Sequence, residues 1–135
     1  MYNNVMVIDD SYFDRLIATK VLELAKFAEN VIAFDSVANG VEYLNSKSAL
    51  PEEQPEIIFL DIRMPETDGF GFLNKIEDTP ELINPDCKIY MLSSSVNPED
   101  ISRANKSKYV FNFISKPLTI EKLIRLKDFQ SAQKL

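Results

Sequence analysis

The residues with most chemistry in them are polar side chains that follow apolar runs. Asp9 and Asp10 follow Val5-Met6-Val7-Ile8, and Asp61 follows Ile57-Ile58-Phe59-Leu60. Ser93 follows Ile89-Tyr90-Met91-Leu92, and Lys116 comes just after Phe111-Asn112-Phe113-Ile114. Taken singly, each is an ordinary surface charge or turn hydroxyl. Brought to one place, the carboxylates would repel one another, at roughly 4 kcal/mol for a like-charge pair about 4 Å apart in an effective dielectric of ~20. Such a cluster needs a cation or raised pKa values. With no histidine in the chain and no cysteine among these residues, the ion expected is hard and oxygen-seeking. Mg²⁺ suits it, because that ion keeps several waters and takes one or two carboxylates plus phosphate oxygens. A phosphoryl group in transfer spreads charge over its equatorial oxygens, and a divalent ion, a lysine and a hydroxyl can each meet part of it. The set therefore points to phosphoryl capture, with Asp61 as the carboxylate nucleophile that becomes an aspartyl phosphate.

Composition removes the competing chemistries. The absence of histidine excludes Ser-His-Asp and Cys-His nucleophile systems, imidazole acid–base work and histidine-ligated zinc. A single cysteine, Cys87, can form no internal disulfide, which fits a reducing compartment, and no signal peptide opens the chain. No apolar stretch approaches the ~18 residues of a membrane span. A cytoplasmic protein without membrane contact is expected. The net charge of −6 argues against direct nucleic-acid binding. That charge is uneven, with 19 acids and 7 bases in residues 1–100 but 2 acids and 8 bases in residues 101–135. The basic last third reads as a solvated helical face or as a docking face for an acidic partner.

The elements that must position these groups are legible as alternation. The four runs above, together with Val31-Ile32-Ala33-Phe34, read as strands, and four of the five are continuous enough for strands covered on both faces. Asn112 interrupts the fifth run, as suits an edge. Between the runs lie helical patterns, the first carrying Phe13, Leu16, Ile17, Val21 and Leu24 at helical spacing. Ser11 and Asp14 resemble a capping box at its start. A second helix over 36–47 presents Val37, Val41 and Leu44, with Gly40 either starting it or allowing close packing. A third, Gly69 to Glu77, buries Phe70, Leu73 and Ile76. Asn97-Pro98-Glu99-Asp100 starts a fourth, with Asn97 as cap. The last begins near Thr119 with Ile120, Leu123, Ile124 and Leu126 inward, and loosens from about residue 129. Strand and helix alternating five times predict one α/β domain over 1–135, a parallel sheet with helices on both faces. In such sheets ligands bind beyond the carboxyl ends of the strands, where the polar residues above fall.

The ordered set resembles the receiver domain of two-component response regulators. It is carried by Val7-Ile8-Asp9-Asp10, Asp61-Ile62-Arg63-Met64-Pro65 with Asp68-Gly69, Leu92-Ser93-Ser94 and Ser115-Lys116-Pro117, and spans about residues 3–128. The resemblance implies a doubly wound, flavodoxin-like, three-layer α/β/α fold with five parallel strands in the order 2-1-3-4-5. It implies that Asp61 takes a phosphoryl group from a partner sensor histidine kinase or histidine phosphotransfer protein. Asp10 and Asp61 would bind Mg²⁺ through their side chains, Arg63 through its backbone carbonyl, and Asp9 largely through water. Ser93 and Lys116 would hold phosphoryl oxygens, and the Lys116-Pro117 bond would be cis. Ser93 and Phe113 would form the switch that remodels the face of the fourth helix, fifth strand and fifth helix toward a downstream protein, in a monomer or a phosphorylation-dependent dimer. No enzyme activity beyond self-phosphorylation and autodephosphorylation is implied.

Ser93 stands where threonine is commoner in the family, Phe113 lacks tyrosine's hydroxyl, and Arg63 is long and basic near the phosphoacceptor. Obstruction of the site or electrostatic retention of the phosphoryl group by Arg63, hence slow hydrolysis, is expected. With no output domain after the fifth helix, a stand-alone switch is expected, although a receiver trimmed from a longer regulator reads the same way. Three rivals use the same fold or nucleophile. A receiver-fold interaction module would not cycle phosphate. A flavodoxin-like mononucleotide binder would want an anion nest where Asp9-Asp10 stand. A haloacid-dehalogenase phosphatase would want an acid where Arg63 stands.

Overall fold

The computed structural model describes residues 1–47, 50–94 and 97–134, with side chains to Lys127. Five strands, β1 (Tyr2–Ile8), β2 (Ala28–Phe34), β3 (Ile57–Asp61), β4 (Lys88–Ser93) and β5 (Val110–Ser115), form one parallel sheet in the order β2-β1-β3-β4-β5. They alternate with α1 (Tyr12–Leu24), α2 (Val37–Ser46), α3 (Gly69–Asp78), α4 (Pro98–Asn105) and α5 (Ile120–Lys134). Residues 129–134, where loosening is expected, are described in backbone only, as the last turns of α5.

Alternation along the strands sends side chains to two cores, since successive residues face opposite sides of a sheet. Met6, Ile8, Ile58, Leu60, Ile89 and Met91 pack beneath α2, α3 and α4. Val5, Val7, Ile57, Phe59, Tyr90 and Leu92 pack beneath α1 and α5. On that second face Phe27, Phe59, Tyr90 and Phe111 form a row of ring contacts across the sheet, with Phe59 and Tyr90 stacked at 5.6 Å. Every residue of β3 is buried, as a central strand covered on both faces requires.

The helix starts follow local chemistry. Ser36, Asp68 and Asn97 each accept a first-turn backbone N–H through a side-chain oxygen, capping α2, α3 and α4. Thr119 accepts the Lys122 N–H at the start of α5. Gly40 lies inside α2, where a Cβ would stand 2.8 Å from Ile8 Cδ1, so its role is close packing rather than initiation.

Three packing expectations need correction. β2 is an edge strand with only Ala28 buried, because no strand flanks it on the side away from β1. In α1 the buried residues are Ala18 and Leu22, whereas Phe13 is 72% exposed, Leu16 43% and Ile17 42%. The face is chosen by the end of the helix. There the Phe27 N–H bonds the Leu22 carbonyl and the Lys26 N–H the Glu23 carbonyl, turning the chain back with Leu22 and Phe27 into the core. In α5, Leu123 and Leu126 are buried while Ile120 and Ile124 are exposed.

Candidate functional site

At the carboxyl edge of the sheet the chain order reverses between β1 and β3, and there the predicted polar residues gather. Asp9 leaves β1 directly, and its N–H bonds the Phe34 carbonyl at 3.0 Å. Asp61 and Ser93 are the last residues of β3 and β4. Lys116 follows β5, and its N–H bonds the Ser93 carbonyl at 2.7 Å. The Lys116-Pro117 peptide is cis.

Carboxylate oxygens of Asp9, Asp10 and Asp61 lie within 4.8 Å of one another. Asp9 and Asp61 are buried and Asp10 is exposed. Into this cluster reaches the Lys116 ammonium, 2.7 Å from Asp9 Oδ2, 2.9 Å from Asp14 Oδ2 and 3.2 Å from Asp61 Oδ1. Burial first, and then the charge of Asp9, push the Asp61 carboxyl up to about 7, although Lys116 pulls the other way. Burial alone would lower Lys116, but hydrogen bonds to Asp9 and Asp14 and the charges of Asp9 and Asp61 outweigh it and hold the ammonium above its usual range. The cluster is built for more positive charge than one lysine supplies, and its donors are all oxygens. These donors fit a hard divalent cation.

The loop after β3 fits tightly against Asp61. A Cβ at Gly69 would stand 2.5 Å from the Asp61 carbonyl oxygen, so only glycine lets α3 begin so close to the site. The Gly69 N–H also bonds the Ile62 carbonyl at 3.0 Å. Arg63 turns its guanidinium outward to Asp100 on the first turn of α4, with Nη2 to Oδ2 at 2.6 Å.

Ser93 and Phe113 share one face of the sheet. Ser93 alternates with Met91, which sits in the core beneath α4, and Phe113 packs half-buried against that same core. Met91 pairs with Phe113 and Ser93 with Ser115, so the hydroxyl and the ring are diagonal neighbours on adjacent strands.

Two side chains at the site escaped the sequence reading. Arg15 donates from Nη1 to the Asp9 carbonyl at 2.8 Å, fixing the loop that carries the acids. Asp14 was legible only as a capping residue. In the structure its N–H donates to Ser11 Oγ, but its carboxylate binds Lys116, while the Ser11 N–H bonds Asp9 Oδ1 instead. The capping box is thus half made, and its second arm serves the site. An acid two to five residues after Asp9-Asp10 in the first helical turn is the one signal that would have raised it.

The sequence matches the family model of the response regulator receiver domain over residues 5–127. It is 30% identical over 130 residues to the two-component response regulator ORR1 of Oryza sativa subsp. japonica, covering 95% of this chain and 55% of that protein. To ORR7 of the same plant it is 35% identical over 99 residues, covering 73% of this chain and 43% of that one. The chain thus spans about half the length of the curated relatives it matches. A two-component response regulator from Cytophaga hutchinsonii superposes with a TM-score of 0.86 at 27% identity, covering 94% of this chain and 95% of that one. Chemotaxis protein CheY4 of Vibrio cholerae, at 19% identity, shares the fold with a TM-score of 0.76, covering 95% of this chain and 98% of that one. With the family matched over nearly its whole length and the acidic cluster in place, the chain belongs to the response regulator receiver domain family, the phosphoaccepting switches of two-component signalling.

Proposed function

We propose that Asp61 is the phosphoacceptor and that Asp9, Asp10 and Asp61, with the Arg63 backbone carbonyl, hold Mg²⁺. The observation that carries this reading is the meeting of a buried carboxylate at the end of β3 with a two-acid loop and a lysine bonded to both. When bound, Mg²⁺ supplies positive charge to the crowded carboxylates and to phosphoryl oxygens. Ionised Asp61 attacks the phosphorus of a donor phosphohistidine. An O–P bond forms, the P–N bond breaks, and the imidazole departs with the bonding pair and takes up a proton. Lys116 and the Ser93 hydroxyl then donate to the phosphoryl oxygens.

Receiver domains exchange phosphate with histidine kinases or histidine phosphotransfer proteins, and α1 supports such a donor surface here. Exposed Phe13, Leu16 and Ile17 line the approach, and Ile17 borders the dent beside Lys116 and Pro117. Contiguous exposed apolar residues of this kind mark contact surfaces. The phosphorylated state reports through Ser93 and Phe113. Movement of the hydroxyl toward the phosphoryl group frees space on the face where the half-buried ring sits, biasing the surface of α4, β5 and α5 toward a downstream protein. The protein works as a monomer or dimerises on phosphorylation. We place it in the cytoplasm, where kinases draw on ATP; among the described residues no helix is long and apolar enough to cross a membrane.

Incubation with acetyl phosphate and Mg²⁺, followed by intact-mass measurement, tests the proposal. One added phosphoryl group, lost with chelator and lost in Asp61→Asn, is expected. A chain that stays unmodified under these conditions refutes phosphate cycling and leaves a receiver-fold interaction module.

A further inference from the structure

We propose that Asp14 is a positioning residue that sets the resting place of the Lys116 ammonium and competes with the phosphoryl group for it. The inference rests on the reading of Asp61 as phosphoacceptor and Lys116 as a phosphoryl ligand. An ammonium has three N–H donors, and in this structure Lys116 donates a hydrogen bond to Asp14 Oδ2 at 2.9 Å while lying in ion-pair contact with Asp9 at 2.7 Å and Asp61 at 3.2 Å. An incoming oxygen must therefore compete with these carboxylates for the ammonium. When Asp61 carries a phosphoryl group its carboxylate loses its charge and its hold on the lysine, and Asp9, Asp14 and the phosphoryl oxygens then compete for the ammonium.

Burial decides which carboxylate yields. Asp9 has 2% of its side chain exposed and recovers no water if the lysine leaves. Asp14 has 39% exposed, and its carboxylate is readily rehydrated. The Asp14 bond is the one that yields. Its strength then subtracts from the affinity of the site for a phosphoryl group, so Asp14 lowers the stability of the phosphorylated state. It acts through Lys116 from the first turn of α1, a position reached through the half-made capping box.

The test is the affinity of the full chain for beryllofluoride, a phosphoryl mimic, at saturating Mg²⁺, measured by isothermal titration for the wild type, Asp14→Asn and Asp14→Glu. A partly exposed ion pair is worth a factor of up to about five, so Asp14→Asn should bind the mimic about two- to fivefold more tightly. Asp14→Glu, which keeps the charge, should return to the wild-type value. Melting temperatures are recorded alongside, since a merely structural role in α1 would move those and leave the affinity alone. Unchanged or weaker binding by Asp14→Asn, or equal tightening by Asp14→Glu, overturns the role of Asp14 while the phosphoacceptor reading stands. A wild-type chain that fails to bind the mimic overturns both.

Discussion

Replacing Asp61 with Asn should stabilise the metal-free protein at neutral pH and do nothing at acid pH. Asp61 is buried beside Asp9, and its carboxyl is pushed from 3.8 up to about 7. The folded chain therefore keeps a proton that the unfolded chain has released between those values. The unfolded state binds fewer protons in that window, so stability falls as pH rises from about 4 to about 7 and is level above it. Each such pH unit is worth about 1.4 kcal/mol, and the window sets a ceiling of roughly 4 kcal/mol. Local relaxation leaves an expected gain of about 2–4 kcal/mol for Asp61→Asn at pH 7.5, and next to none near pH 4, where the protonated acid and the amide are alike. Urea melts of both proteins in the presence of a chelator, from pH 4.5 to 8, read the difference directly. Adding Mg²⁺ at pH 7.5 should raise the wild type more than the variant. Two parallel stability curves with a constant offset, or a variant weaker than wild type above pH 7, would refute the electrostatic argument.

Arg63→Asn should speed loss of phosphate from the labelled protein about three- to tenfold, equivalent to about 0.7–1.4 kcal/mol of barrier; an unchanged decay would show that the guanidinium paired with Asp100 takes no part. Lys26 closes α1 at a φ of 51°, a left-handed position that favours glycine. Lys26→Gly should therefore gain about 0.5–1 kcal/mol in urea denaturation, the left-handed cost of ~1–2 kcal/mol being partly offset by glycine's entropy. Gly69→Ala forces a methyl against the Asp61 carbonyl and should cost about 1–3 kcal/mol, with weaker Mg²⁺ binding measured by calorimetry.

The sheet and its functional edge were legible because both are written in local pattern. Apolar runs ending in Asp9, Asp61 and Ser93 place the carboxyl edge whatever the tertiary detail. The order of strands came from the family resemblance, not from periodicity, and so did the cis peptide before Pro117. What pattern could not decide was which side of an amphipathic helix faces inward. In α1 the stripe of Phe13, Leu16 and Ile17 is more hydrophobic than that of Ala18 and Leu22, yet the smaller residues are buried. Close approach to β1 and the turn into Phe27 outweigh side-chain hydrophobicity there, and the larger residues are left outside at the rim of the site. The partner of Asp14 was equally illegible, since it is set by Lys116, 102 residues further on.

The most direct test of the central claim is to locate the phosphate. Protein labelled by acetyl phosphate and Mg²⁺ is reduced with borohydride, which converts an aspartyl phosphate to homoserine, and the peptides are sequenced by mass spectrometry. The account predicts homoserine at position 61 alone and none in unlabelled protein. Label on any other residue, or label that persists when Asp61 is replaced by Asn, would contradict it.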